Sequence, residues 1–241
     1  QAGDTSGDLT VKGLVLGGTS PTLRDAAGND ATLTIAAGSN LADNEAIVVD
    51  TTAPTAPSID VDAGSDTGDS ATDNLSSDTT PDVTVDLTNT NAVAGDVVKL
   101  LSGATEVGSF TLTQTEVDND SVTITASDLG SDGVKSLTAT ITDEAGNVSQ
   151  ASTAISYTVD TTAPTAAITS TTADGSYQAG EDINVTVTFD EAVTLAGSDA
   201  TLSAELETGT TDRTVELTTS DNVTWTGTYT IQAGDTSSDL T

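Results

Sequence analysis

Ser136-Leu-Thr-Ala-Thr-Ile-Thr142, running directly into Asp143-Glu-Ala-Gly-Asn147, decides how this chain folds. Leu137, Ala139 and Ile141 alternate with Ser and Thr, the period-two pattern of a strand with one apolar face. The five residues that follow make a good hairpin turn, in which the Asp side chain caps its own backbone and Gly supplies a positive φ. The same pattern recurs at Asp82-Val-Thr-Val-Asp-Leu-Thr88, Ser121-Val-Thr-Ile-Thr125 and Ile155-Ser-Tyr-Thr-Val159. It continues at Ile183-Asn-Val-Thr-Val-Thr-Phe189, Thr214-Val-Glu-Leu-Thr218 and Thr224-Trp-Thr-Gly-Thr-Tyr-Thr-Ile231. Near the start it predicts strands at Thr10-Val-Lys-Gly-Leu14, Ala31-Thr-Leu-Thr-Ile35 and Ala46-Ile-Val-Val49. No segment sustains a 3.6-residue apolar period, so helix is expected to be minor.

Two echoes organise these strands. Gln1 to Thr10 returns 231 residues later as Gln232 to Thr241, with a single Gly7/Ser238 difference. Val49-Asp-Thr-Thr-Ala-Pro-Thr-Ala56 returns 110 residues later as Val159-Asp-Thr-Thr-Ala-Pro-Thr-Ala166. Two unlike modules therefore alternate, and we expect the chain to be a window onto a tandem array. Residues 51–160 form one complete module. Residues 161–241 open a second type, and residues 1–50 carry its closing part in register. About seven strands in a module of this length, with Gly, Asn, Asp and Ser between them, imply an immunoglobulin-like sandwich. The expected fold class is all-β: tandem sandwiches joined by short linkers at 51–54 and 161–164, stiffened by Pro54 and Pro164 into an extended rod.

Composition narrows the functions available. Against 38 Asp and Glu stand five cations, a net charge of −33, so the folded chain must repel itself or recruit counter-ions. Nucleic acid is excluded as a partner, since phosphate contacts need Lys and Arg. Direct insertion into a membrane is not expected either, because no stretch approaches the length of an apolar span. The absence of His and Cys removes the usual nucleophile and base pairs, and an enzyme is not expected. A lectin-like module is disfavoured by aromatics at only 2%.

Two acidic constellations remain. Asp50 and Asp160 precede the linkers, and the turns containing Asp25 and Asn29, and Asp143 and Asn147, precede the last strands of their modules. In a seven-stranded sandwich those turns lie at the pole where the chain enters. Asp143 and Asn147 would then stand beside Asp50, and Asp160 beside the Asp25 and Asn29 of a neighbouring copy. Carboxylate and amide oxygens converging on a linker suit Ca²⁺, which takes 6 to 8 oxygen ligands. The second constellation is Ser65-Asp-Thr-Gly-Asp-Ser-Ala-Thr-Asp-Asn74, where Asp66, Asp69 and Asp73 could wrap one ion at the opposite pole. Both also read as hydrogen-bonded or solvated turns.

The run from Asp66 to Asp73 leading to Thr79-Thr-Pro81, with Asp143-Glu-Ala-Gly-Asn147 and Val159-Asp-Thr-Thr-Ala-Pro164, resembles the bacterial Ig-like repeats of giant surface adhesins and biofilm-associated proteins. Ala179-Gly-Glu-Asp-Ile-Asn-Val-Thr-Val-Thr-Phe-Asp-Glu-Ala-Val193 and Asp25-Ala-Ala-Gly-Asn29 are similar to a second Ig-like type in such proteins. The resemblance implies RTX-type, type I secreted proteins at the cell surface. In them such modules act as extenders that hold an adhesive domain away from the cell, with Ca²⁺ stiffening the junctions. It also implies that the partners are neighbouring repeats. A different expectation is a self-assembling filament or surface-layer subunit, in which identical copies complete one another head to tail by strand complementation.

Overall fold

The computed structural model describes residues 6–237, so the outer parts of the repeated decapeptide lie outside the described residues. Thirteen strands and two short helices make up the described residues, which divide at Thr161/Thr162 into two compact units.

In the first unit, helix α1 (Leu41–Asn44) precedes strands β1 (Ser58–Val61), β2 (Leu75–Ser76), β3 (Asp82–Asp86), β4 (Val97–Ser102) and β5 (Thr105–Thr111). Helix α2 (Gln114–Asp118) and strands β6 (Ser121–Thr125), β7 (Gly133–Thr142) and β8 (Ile155–Val159) complete it. Two sheets result, ordered β1-β3-β6 and β2-β8-β7-β4-β5. Alternation sets the buried face: Leu137, Ala139 and Ile141 of β7 are fully buried against Val83, Val85, Val98, Leu100 and Tyr157. The core is thin and aliphatic, and backbone approach closes its edges. Gly108 on β5 lies so near β6 that a Cβ there would meet Ile124 Cγ2 at 2.6 Å. Beside β7, Ser152 and Ser149 stand in for ladder residues: their hydroxyls accept from the Ala139 and Ile141 N–H groups at 3.0 and 2.9 Å.

Strand directions put the two linkers at opposite poles of this sandwich. Strand β8 pairs antiparallel with β7, with Gly133 opposite Val159. The chain therefore leaves at the Gly133 end, whereas the end of β7 at Thr142 faces the pole where Asp50 lies. Pro54 and Pro57 are buried, and Thr55 bonds to the carbonyls of Thr90 and Asn89, so the incoming segment is fixed to the sandwich.

The strands predicted at 10–14, 31–35 and 46–49 do not form. Across residues 6–57 only isolated bridges join Ser6 to Val49 and Arg24 to Asp30, and most residues are exposed. Ala31-Thr-Leu-Thr-Ile35 alternates cleanly, but a ladder needs a partner strand whose N–H and C=O groups close the hydrogen bonds.

The second unit contains β9 (Ala166–Thr169), β10 (Asp182–Phe189), β11 (Leu202–Leu206), β12 (Arg213–Thr219) and β13 (Thr224–Thr230), in the order β11-β12-β13-β10-β9. Val185, Val187, Trp225 and Tyr229 bury one face beneath Leu206, Val215 and Leu217. Gly227 permits this closeness, because a Cβ there would lie 2.5 Å from the Glu216 carbonyl oxygen. Among the described residues strand β11 is an edge and pairs only with β12.

Candidate metal centre

The two Asp-x-Ala-Gly-Asn turns match in their hydrogen bonding. In each, the first Asp accepts the Asn backbone N–H at 2.8 Å and the Asn side-chain amide at 2.8 Å, and the glycine has φ near +90°. The Asn29 amide, aided by backbone N–H groups, holds the Asp25 carboxyl below its ordinary range. For Asp143 burial pushes the other way, but the Asn147 amide and the N–H groups of the turn still leave it lowered. The turns are thus self-satisfied loops that keep a carboxylate ionised.

The Asp143 turn has a setting that the Asp25 turn lacks. Asn147 Nδ2 donates to the Asp50 carbonyl at 3.1 Å, so the turn and the incoming linker meet. The Asp50 side chain accepts the Thr52 N–H at 2.9 Å, which fixes the start of the linker. A residue outside both acidic motifs joins them. Val97 and Thr142 are Cα partners at the end of the β4–β7 ladder, which places Asp96 across from Asp143. Asp96 is 1% exposed; its Oδ2 accepts the Val93 N–H at 2.9 Å, while its Oδ1 is buried without a hydrogen-bond partner. Burial raises the Asp96 pKa, and the charges of Asp143 and Glu144 add to the rise against the dipoles of the Val93 and Glu144 N–H groups. An orphaned buried carboxylate oxygen beside a second carboxylate is what a hard cation would satisfy.

The opposite pole is built differently. Asp66 is 3% exposed, accepts the Asn74 N–H through Oδ2, and leaves Oδ1 buried without a partner. Asp69 and Asp73 are exposed, and Asp73 accepts the Leu75 N–H. Asp66, Asp69 and Asp73 do not converge, and among the described residues no three acidic side chains form a group that could hold a metal ion. The loop is instead tied to the core by Tyr157, whose hydroxyl donates to the Asp78 carbonyl at 2.7 Å. Next to it the outgoing chain is fixed: the Asp160 N–H donates to the Ser76 carbonyl, and Thr161 donates through N–H and Oγ1 to Asp132.

This sandwich, with its linkers at opposite poles, can be compared with known proteins. Residues 52–161 match the family model of the bacterial Ig-like domain. No curated protein matches the chain. An Ig-like module of this kind fits an extender role in a surface protein, and its all-β framework is of a type that is typically not enzymatic. Among the described residues no helix is long and apolar enough to cross a membrane.

Sequence spacing does not single out Asp96 or Glu144. Glu144 sits inside the Asp143 turn, where its neighbours carry the stronger turn chemistry. Asp96 is isolated between Gly95 and Val97, and only the β4–β7 pairing brings it to the turn.

Proposed function

We propose that the chain consists of extender repeats of a large bacterial cell-surface adhesin, stiffened by calcium at the junctions between modules and supporting adhesion or biofilm formation outside the cell. The observation that carries this reading is the polar separation of the two linkers of the Ig-like module. Its chain enters beside Asp50 and leaves beside Asp132, and this separation within one module supports a spacer built by repetition.

At the incoming junction Asp96 and Asp143 would supply carboxylate oxygens, with the Asp50 carbonyl and the Asn147 amide as neutral donors. Two carboxylates with amide, main-chain and water oxygens make a modest Ca²⁺ site, matched to the roughly millimolar range of extracellular modules. Asp160 with the Asp25 and Asn29 of a neighbouring copy is the corresponding proposal for the alternate junction. Calcium at Asp66, Asp69 and Asp73 would require the loop to rearrange. The charge of −33 adds a rationale, because bound divalent cations reduce self-repulsion.

The decisive experiment is small-angle scattering with thermal melting on a polypeptide of several repeats, in calcium and in chelator. A longer particle and a higher Tm in calcium support the reading. Equal dimensions and equal Tm at millimolar calcium would reduce it to a flexible acidic spacer.

A further inference from the structure

We infer that the Ig-like module bears tension along its strands, and that strand β8 is held against that tension by a clamp made of β2 and the 62–78 loop. The inference rests on the extender reading for the source of the pull, because a spacer between a cell and an adhesive contact transmits the force on that contact. It does not involve calcium.

Topology decides how force acts on the module. The chain enters at one pole and leaves at the other. Strand β1 runs from the entry to the exit pole, where the Asp62 N–H donates to the Asp82 carbonyl. Strand β8 also runs toward the exit and ends opposite Gly133. A pull on the two linkers therefore draws β1 and β8 in opposite directions along their own lengths. Antiparallel ladder bonds lie across the strands, so this pull shears them and they must give way together. A pull across the strands would open the same bonds one at a time.

Strand β8 is gripped on both edges. On one side it pairs with β7 from Gly133–Val159 to Leu137–Ile155. On the other it runs parallel to β2, and the Thr158 and Asp160 N–H groups donate to the Asn74 and Ser76 carbonyls at 2.7 and 2.9 Å. A strand as short as β2 would slip if the loop before it were free, but that loop is anchored. Ser76 Oγ donates to the Ser65 carbonyl at 2.7 Å, and Ser65 Oγ accepts the Asp82 N–H at 2.9 Å, which ties β2 to the start of β3 in the opposite sheet. Tyr157 then pins β8 to the anchored loop. Its ring is fully buried, and its hydroxyl donates to the Asp78 carbonyl at 2.7 Å and lies 3.3 Å from the Ser65 carbonyl. Register adds to the hold: a slip of β8 by one residue, about 3.3 Å, would turn Tyr157 and Val159 out of the core.

The test is single-molecule unfolding of the full chain in chelator at one constant force. The sequence has no Cys, so two introduced cysteines set the pulling axis. Ala53→Cys with Ala163→Cys, both at exposed positions, loads the module along its strands. Ser131→Cys with Ala163→Cys pulls the start of β7 from the end of β8, across the strands. The axial pair should unfold at least about tenfold more slowly, since several bonds, each worth a factor of about five, must break together. In the axial pair, Tyr157→Phe should speed unfolding at least about fivefold. Gly108→Ala is the comparison: it overpacks β5 against β6, at the edge of the sheet remote from β2 and β8. It should lower Tm yet change the axial rate by less than about twofold, because contacts still intact in the unfolding transition state do not alter that rate.

Axial unfolding as fast as transverse unfolding overturns the inference. Axial resistance that Tyr157→Phe weakens no more than Gly108→Ala does overturns the assigned clamp. Either failure leaves a calcium-stiffened spacer standing, and a scattering result that removes calcium from the junctions leaves the clamp standing.

Discussion

Replacing Asp96 by Asn separates a structural carboxylate from a metal ligand. Asp96 is 1% exposed, one of its oxygens has no partner, and its pKa is raised. A carboxyl whose folded pKa lies above its unfolded value stabilises fully below the unfolded value, and that contribution is lost as pH rises through the folded pKa. At pH 7 without calcium the wild-type module therefore carries a penalty. Leaving a buried oxygen unsatisfied costs about 1–3 kcal/mol. Asn keeps an acceptor for the Val93 N–H and removes the charge. D96N should thus gain about 1 kcal/mol in chelator, a rise in Tm of about 4 °C for a domain of this size. Calcium should invert the order. At a hundred times its Kd it would add about 2.7 kcal/mol to the wild type, and the variant, with one carboxylate left, should gain less than half of that. Calorimetry in chelator and in calcium reads both effects, and Trp225 fluorescence identifies the transition of the other unit. Lower stability of D96N in chelator, or equal calcium shifts in both proteins, would refute the reasoning.

Other consequences can be checked on the same samples. Tyr157→Phe removes the donor to the Asp78 carbonyl from a fully buried position and should cost about 1–3 kcal/mol by calorimetry, with faster hydrogen exchange across 65–78. Gly227→Ala puts a Cβ 2.5 Å from the Glu216 oxygen and 2.6 Å from Val215 Cγ1, an overpacking expected to cost about 1–3 kcal/mol in urea unfolding followed by Trp225. Arg213, with Tyr229, holds the Asp235 carboxyl down at about 2. That depressed pKa stabilises above the unfolded value of 3.8 and is lost as pH falls through about 2. Arg213→Gln should therefore move the acid unfolding of this unit to higher pH, again visible in Trp225 fluorescence; an unchanged midpoint would remove the ion pair from the acid response.

Much of the fold was legible because period-two alternation reports which face of a strand is buried. Strands β3, β6, β7 and β8 coincide with alternating runs. Strands β4 and β5 are harder to read: Val97-Val-Lys-Leu-Leu-Ser102 breaks the alternation, and the register shifts between Leu100 and Leu101. Helix α2 is too short to show a 3.6-residue period, and its signal is instead a capping box from Thr113 to Glu116. At the candidate centre, the junction of Asp50 with Asn147 followed from topology, whereas Asp96 was invisible because sequence proximity defines acidic clusters and ladder pairing does not.

The strands that failed carry the more general lesson. Ala31-Thr-Leu-Thr-Ile35 alternates as well as Asp82-Val-Thr-Val-Asp86, yet only the latter forms a ladder. Alternation specifies the face that will be buried; burial itself requires a sheet edge and an apolar layer on the other side. Val83 and Val85 find β1, β6 and the facing sheet, and both are fully buried. Leu33 and Ile35 find no ladder partner among the described residues and are only half-buried. The same local pattern thus gives a buried strand at 82–86 and a largely exposed segment at 31–35, because the pattern selects the face and the tertiary partner supplies the burial.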